Sequence, residues 1–130
     1  MQPTVFVVEP IDAQVLAWLE GQVRVLRGFG PHGVELARGL QEADAVLVRT
    51  RALPGELIRS APRLKIIARH GVGVDNVDVE AATERGIPVT TTPGANAESV
   101  AEHALALLLA VARRVVEADR LTRAGRFGER

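Results

Sequence analysis

The chain has no cysteine anywhere in its 130 residues. That absence removes disulfides, thiolate nucleophiles and cysteine-based metal sites together, and it is compatible with a cytoplasmic protein, which is the location we expect. An excess of either charge is also missing. Sixteen basic residues balance sixteen acidic ones, so there is no electrostatic reason to expect nucleic acid or an anionic membrane as a partner. Long hydrophobic runs are missing too. The longest, Ala104 to Ala112, has nine residues, against the roughly 20 that a membrane span needs. Met1 to Pro10 has no basic stretch leading into an apolar one, so no secretory leader is expected. The three histidines, His32, His70 and His103, have no metal-ligand spacing, and no Gly-x-Ser-x-Gly elbow exists. Neither a metal site nor covalent catalysis is expected.

What is present is a regular alternation of short apolar strands and helices. Thr4 to Val8 is β-branched, aromatic and nearly all apolar, the composition of a buried strand. Asp12 caps a helix that runs to Glu20 and stops at Gly21. Gln22 to Leu26 alternates polar and apolar residues as a half-exposed strand does. Gly28 to Gly33 is a loop, and a short helix is expected over 34–40. Ala45 to Val48 forms a third strand, Pro54 opens a helix to Ser60, and Leu64 to Ala68 forms a fourth strand. Asp78 caps a helix over 79–85, stopped by Gly86, and Pro88 to Thr90 is a short fifth strand. Such alternation predicts an α/β fold: a doubly wound parallel sheet of about five strands with helices on both faces.

The last segment differs. A long helix begins after Asn96, with Glu98 and Glu102 near its positive end. From His103 to Ala112 it is apolar around its whole circumference, which predicts burial on all sides, His103 included. Five short strands offer too little surface for that, so a partner surface is expected, either more of the same polypeptide or a second subunit. We see no internal repeat and no low-complexity tract.

Three segments carry candidate chemistry. Gly71-Val72-Gly73-Val74-Asp75-Asn76 lies between a strand and a helix, where α/β folds place ligands. It fails as a dinucleotide fingerprint, because position 76 is Asn and no acidic residue ends the next strand. Spacing leaves two readings: an anion-binding loop of exposed amides, or a tight turn that needs glycine. Arg49-Thr50-Arg51 follows the third strand. Its guanidinium groups either clamp a carboxylate or phosphate, or are simply solvated. Asn96 either donates a hydrogen bond to a ligand or is only the helix cap. His70, beside the glycine loop, is placed to line a pocket. Two doubly wound alternatives fail on the sequence. A response-regulator receiver is served by Glu9 and Asp12 but needs Asp and Lys where Arg49 and Thr91 stand. A flavodoxin needs a phosphate loop where the chain has Glu9 to Ala13.

The order and spacing of Val48 to Arg51, Leu64 to Asp78, Ala81 to Val89 and Thr92 to His103 resemble the D-2-hydroxyacid dehydrogenase family, especially its phosphoglycerate dehydrogenase-like branch. The resemblance runs from about residue 45 to the end. It implies a flavodoxin-like substrate domain over 1–95 and, over 96–130, a crossing helix and arm that lead to a nucleotide-binding domain lying beyond this chain. It implies that Arg49 and Arg51 face the substrate's acidic groups and that the amides of Gly71, Val72 and Gly73 hold its carboxylate. His70 and Asn96 would lie near the substrate, and Val72 and Val100 would touch the nicotinamide of NAD or NADP. The resemblance implies that the family's catalytic Arg, Glu and His, and its glycine-rich pyrophosphate turn, fall beyond Arg130. No catalytic residue, no tight cofactor binding and no turnover are therefore expected of the chain alone. A small 2-hydroxyacid or 2-oxoacid is the implied substrate of the complete enzyme and a homodimer its expected assembly. The alternative is a catalytically inactive module for binding small acids or for dimerisation. One departure is visible: Thr91 stands where the family usually has Asn.

Overall fold

The computed structural model describes residues Gln2–Glu129. Five parallel strands form one sheet: β1 (Thr4–Val7), β2 (Arg24–Arg27), β3 (Ala45–Val48), β4 (Ile66–Arg69) and β5 (Val89–Thr90), in the order β2-β1-β3-β4-β5. The connecting helices are α1 (Ala13–Glu20), α2 (Leu36–Glu42), α3 (Gly55–Ser60) and α4 (Val79–Glu84). Phe6 sits opposite Leu26 on one side and Val46 on the other, and Val46 sits opposite Ile67.

The winding places the helices. The chain steps from β1 to β2 in one direction, then crosses back over β1 to β3, β4 and β5. Right-handed crossovers put α1 on one face and the other three helices on the opposite face. The core agrees. Phe6, Val46, Val48 and Ile67 form one buried cluster with Leu40 of α2, Ile58 of α3, and Ala81 and Ala82 of α4. Gly39 lets α2 approach the sheet, since a Cβ there would lie 2.5 Å from the Phe6 ring. The order reverses between β1 and β3, and the carboxyl ends of those strands are where such sheets bind ligands.

Caps at Asp12 and Asp78 are as expected. Asp12 accepts from the amides of Gln14 and Val15, and Asp78 from that of Ala81. Several boundaries differ from the expected spans by one or two residues, and three of the starts have a visible cause. β2 starts at Arg24, because the amides of Gln22 and Val23 still bond the end of α1 at Leu19 O. α2 starts at Leu36 rather than 34, because Val34 N–H is held by Arg27 O at 2.7 Å. β4 starts at Ile66, where the ladder with Ala45 begins.

A side chain that sequence periodicity does not reveal closes α3. The Arg85 guanidinium donates to the carbonyls of Ile58, Arg59 and Ala61, the groups a helix end leaves without partners. We expect Arg85→Ala to cost about 2 kcal/mol, as for a hydrogen bond to a charged group, and Arg85→Lys to recover part of it. Thermal unfolding checks this through a fall in Tm of roughly 6–12 °C.

The remainder forms a separate compact unit, divided from the first between Pro93 and Gly94. It contains α5 (Ala97–Ala112) and α6 (Val115–Arg123). Arg114, in the left-handed region at φ 51°, breaks the chain between them. α5 has no buried residue, so His103 is exposed rather than packed as expected. Leu105, Leu108 and Val111 also face solvent. No helix among the described residues is long and apolar enough to cross a membrane.

Candidate functional site

The first part of the site is built on Glu9, just past β1. Its carboxylate accepts from three consecutive amides past β3: Arg49 at 2.7 Å, Thr50 at 2.8 and 3.0 Å, and Arg51 at 3.1 Å. The Thr50 hydroxyl donates to the same carboxylate. Partial burial disfavours the charge, but the Thr50 hydroxyl and the amides of Arg51, Arg49 and Thr50 outweigh it and lower the Glu9 pKa to about 2. Glu9 is therefore a fixed anion at neutral pH.

From the other side, Asn76 Nδ2 donates to Arg51 O at 2.9 Å and, more weakly, to Arg49 O at 3.5 Å. Leu53 N–H donates to Asn76 O at 2.7 Å, and Asp78 N–H returns to Leu53 O at 3.2 Å. The backbone of the arginine loop is thus tied to β1 by Glu9 and to the glycine loop by Asn76. Both guanidinium groups are left out of this scaffold. Among the described residues, neither Arg49 nor Arg51 makes a side-chain hydrogen bond or ion pair, and both are exposed.

The glycine loop follows β4. Gly71 has φ +154°, and a Cβ there would fall on the Arg69 guanidinium. Arg69 is held in turn by His70 O at 2.9 Å and Asn76 Oδ1 at 3.4 Å. The Gly71 amide is already used, donating to Arg69 O at 2.9 Å, while Gly71 O accepts from Thr92 N–H. Of the three amides expected to hold a carboxylate, only those of Val72 and Gly73 have no protein acceptor among the described residues. Both residues are exposed. The loop is therefore both a tight turn that requires glycine and a pair of free donors, so the two readings of its spacing are compatible.

His70 is exposed and borders a cavity of about 240 Å³ at the carboxyl ends of β3, β4 and β5, lined also by Ile11, Val15, Leu47, Ala68 and Thr91. A larger, open apolar groove of about 590 Å³ lies between α5 and α6, and apart from Arg114, Glu117 and Arg120 its walls are aliphatic. It has no converging polar groups and no chemistry. Asn96 and Val100 belong to the second unit. Asn96 occupies the cap position of α5, but its side chain makes no capping bond. No group of three potential metal ligands occurs among the described residues.

Sequence reasoning missed Glu9, Asn76 and Arg69 as parts of one network. The signal for Glu9 was available: an acidic residue at the carboxyl end of the first strand, where the winding reverses. Asn76 was read only as the glycine that a dinucleotide loop should have had. Its side chain instead ties the glycine loop to the arginine loop through Arg51 O.

A parallel, doubly wound five-stranded sheet, with free cationic and amide donors at the carboxyl ends of β3 and β4, defines the α/β class of this chain. The chain belongs to the D-isomer specific 2-hydroxyacid dehydrogenase, catalytic domain family, whose model matches residues 5–125. It is 47% identical over 123 residues to D-3-phosphoglycerate dehydrogenase of Mycobacterium leprae, covering 94% of this chain and 23% of that protein. It is 43% identical to glyoxylate reductase of Thermococcus litoralis, covering 98% of this chain and 40% of that protein. The fold superposes with a TM-score of 0.80 and 33% identity on NADPH-dependent glyoxylate/hydroxypyruvate reductase of Sinorhizobium meliloti in complex with NADP and malonate, covering 98% of this chain and 40% of that one. The chain spans about a quarter of the length of the phosphoglycerate dehydrogenase and two fifths of the glyoxylate reductase.

Proposed function

We propose that this chain is the substrate-binding part of an oxidoreductase that moves a hydride between NAD or NADP and a D-2-hydroxyacid such as 3-phosphoglycerate. The observation that carries the reading is that two free amides, Val72 and Gly73, and two unpaired guanidinium groups, Arg49 and Arg51, follow the carboxyl ends of the neighbouring strands β4 and β3 among the described residues. A hydroxyacid with a second acidic group matches that set: its carboxylate takes the amides, and its distal anion takes an arginine fork. Residues 1–95 serve as the substrate domain, and residues 96–130 as the helix and arm between domains. His70 and Asn96 lie toward the substrate in this reading.

The glycine loop after β4 does not match a dinucleotide's phosphates, because Asn76 stands where its third glycine would be and its side chain is bonded to Arg51 O. The cofactor's chemistry when bound is hydride transfer. In the proposed assembly the exposed side chains of Val72 and Val100 meet its nicotinamide end, and the remaining contacts come from a nucleotide-binding domain. This chain supplies binding and orientation, with no proton-transfer residue of its own. The protein works in the cytoplasm, and neither nucleic acid nor membrane is a partner.

Reading the encoding DNA past the codon for Arg130 tests this. A continuing frame with a strand and a Gly-x-Gly-x-x-Gly turn, whose product reduces a 2-oxoacid with NADH or NADPH, is the expected result. A stop codon, or turnover by the 130-residue chain alone, overturns it. In the active product, Arg51→Ala is expected to raise the KM for the hydroxyacid about thirtyfold, the equivalent of roughly 2 kcal/mol for a charge-assisted hydrogen bond. Arg51→Lys should recover little, because a point charge does not reproduce the planar fork.

A second reading, a dimerisation module, is favoured by one observation: Leu105 and Leu108 are each 62% exposed and Val111 78% exposed on α5. A homodimer covers such a surface within the first reading as well. Mass in solution on dilution distinguishes a stable dimer from a monomer.

A further inference from the structure

Three successive amides converging on one point form a nest, an arrangement that binds anions. The amides of Arg49, Thr50 and Arg51 make such a nest at the carboxyl end of β3, beside the place where the winding of the sheet reverses. A nest in that position, flanked by two arginines, would attract any carboxylate or phosphate that entered the site. It is not available to one. Glu9 fills it from within the chain, with both carboxylate oxygens engaged.

We propose that Glu9 is a positioning residue: a built-in anion that occupies the amide nest of Arg49–Arg51, fixes the backbone from which the two arginines reach the substrate, and keeps the substrate's own acid group out of the nest. The inference rests on the substrate reading above only in its last step, the effect on substrate.

The geometry supports it in three ways. First, the carboxylate is saturated. Four donors from three residues meet its two oxygens, so it has no lone pair oriented for proton transfer, and its lowered pKa agrees with a group that stays ionised. Second, the opposite edge of the same backbone is held by Asn76 at Arg51 O. With Glu9 on the amides and Asn76 on the carbonyls, the peptide planes have one orientation, and the directions of the Arg49 and Arg51 side chains follow from it. Third, the negative charge of Glu9 lies on the backbone and not on the guanidinium groups, among whose ion pairs it has no part. The arginines keep their full charge for a ligand. An anion that paired with them would defeat the site, whereas one that holds only their amides builds it.

Other places where the chain could act carry less. The cavity beside His70 also has Asp12 and Arg69 on its walls, but Asp12 is spent on capping α1 and Arg69 on the glycine loop, and the α5–α6 groove has nothing in the structure that names its occupant.

The test is chemical rescue. Glu9→Ala removes one methylene and the carboxylate, which together have the shape of acetate. In the 130-residue chain, amide exchange at Arg49, Thr50 and Arg51 is expected to speed up at least tenfold in Glu9→Ala. Added acetate should slow it again in a saturable way, and neutral acetamide should not. In the complete dehydrogenase, Glu9→Ala is expected to raise the KM for 3-phosphoglycerate at least tenfold, with the KM for the nicotinamide cofactor unchanged and acetate restoring the first. Unchanged exchange at the three amides overturns the proposal, as does rescue by acetamide equal to that by acetate. A KM change shared equally by substrate and cofactor overturns the positioning role. If the wild-type complete protein turns over no 2-hydroxyacid while acetate still rescues the amides, the substrate reading fails and the nest stands.

Discussion

Phe6→Ala is expected to destabilise the chain by about 3–5 kcal/mol, the range for removing a large aromatic side chain from a packed core. Phe6 is completely buried at the centre of β1. Its ring packs against the backbone of α2 at Gly39, where no other side chain intervenes. The site cannot collapse to fill the gap, because β1 is hydrogen-bonded on both sides, to β2 and to β3, and α2 is held at both ends by the loops that cross from β2 to β3. The loss therefore includes the cavity as well as the transferred surface. Against a typical total stability of about 5–15 kcal/mol, it is a large fraction. Urea unfolding followed by circular dichroism measures it, and a loss under about 1 kcal/mol would show that the ring is not the centre of the core. A double substitution tests the pairing. Gly39→Ala alone should be destabilising, since its Cβ meets the ring at 2.5 Å. Combined with Phe6→Leu, it should cost less than the sum of the two single changes, because the smaller side chain frees the space that the new Cβ needs.

The parts of this fold that were legible in the sequence are those where local chemistry and tertiary packing agree. Phe6, Val46 and Ile67 lie in apolar runs too short for helices, and they are the strand centres. Asp12 and Asp78 precede apolar helical segments, and both cap through their side chains. Two of the misplaced boundaries, the starts of β2 and α2, share one cause. Val34 and Val23 look like members of their elements by pattern, but each backbone amide is claimed by a neighbouring element, by Arg27 O and Leu19 O respectively. Nothing in a single segment reveals that competition. The break at Arg114 had no signal either. No Gly or Pro occurs between Ala95 and Ala124, so the chain read as one helix followed by an arm, and α6 was not anticipated.

The candidate site divides in the same way. Arg49, Arg51 and the glycine loop were visible because loops after strands concentrate binding groups. Family resemblance supplied the roles proposed for them. Glu9 and Asn76 were not visible as partners, because the contact that unites them joins positions about 40 and 25 residues apart in the chain. Only the strand order brings them together. Once β1 and β3 are known to be neighbours, an acid at the end of one and three free amides at the end of the other become a single unit.

That unit also sets the acid stability of the fold. Glu9 titrates at about 2 in the folded chain against an ordinary value of 4.5. A lowered carboxylate pKa means that the ionised form is bound more tightly in the folded state, so its contribution is complete above about pH 4.5 and is lost as the pH falls toward 2. The shift corresponds to about 3 kcal/mol at most, and the exposure of the surrounding loop reduces it toward roughly 2 kcal/mol through solvent screening. Glu9→Gln should remove this pH dependence, since its carboxamide cannot ionise and offers only one acceptor oxygen to the amides. The expected result is a pair of stability curves separated by about 2 kcal/mol at pH 7 that converge as the pH approaches 2. Asp44, held by the Thr4 amide and by Arg63, and Glu84, held by Arg59, titrate in the same direction. Both chains carry them, so they cancel in the difference and leave Glu9 alone. Urea midpoints measured from pH 7 to pH 2 give the two curves. If they stay parallel over that range, the Glu9 carboxylate is not the anion that holds the arginine loop. If they converge, the ionised Glu9 side chain holds the amides of the loop that carries Arg49 and Arg51, and loosening of that loop on acidification should precede unfolding of the sheet.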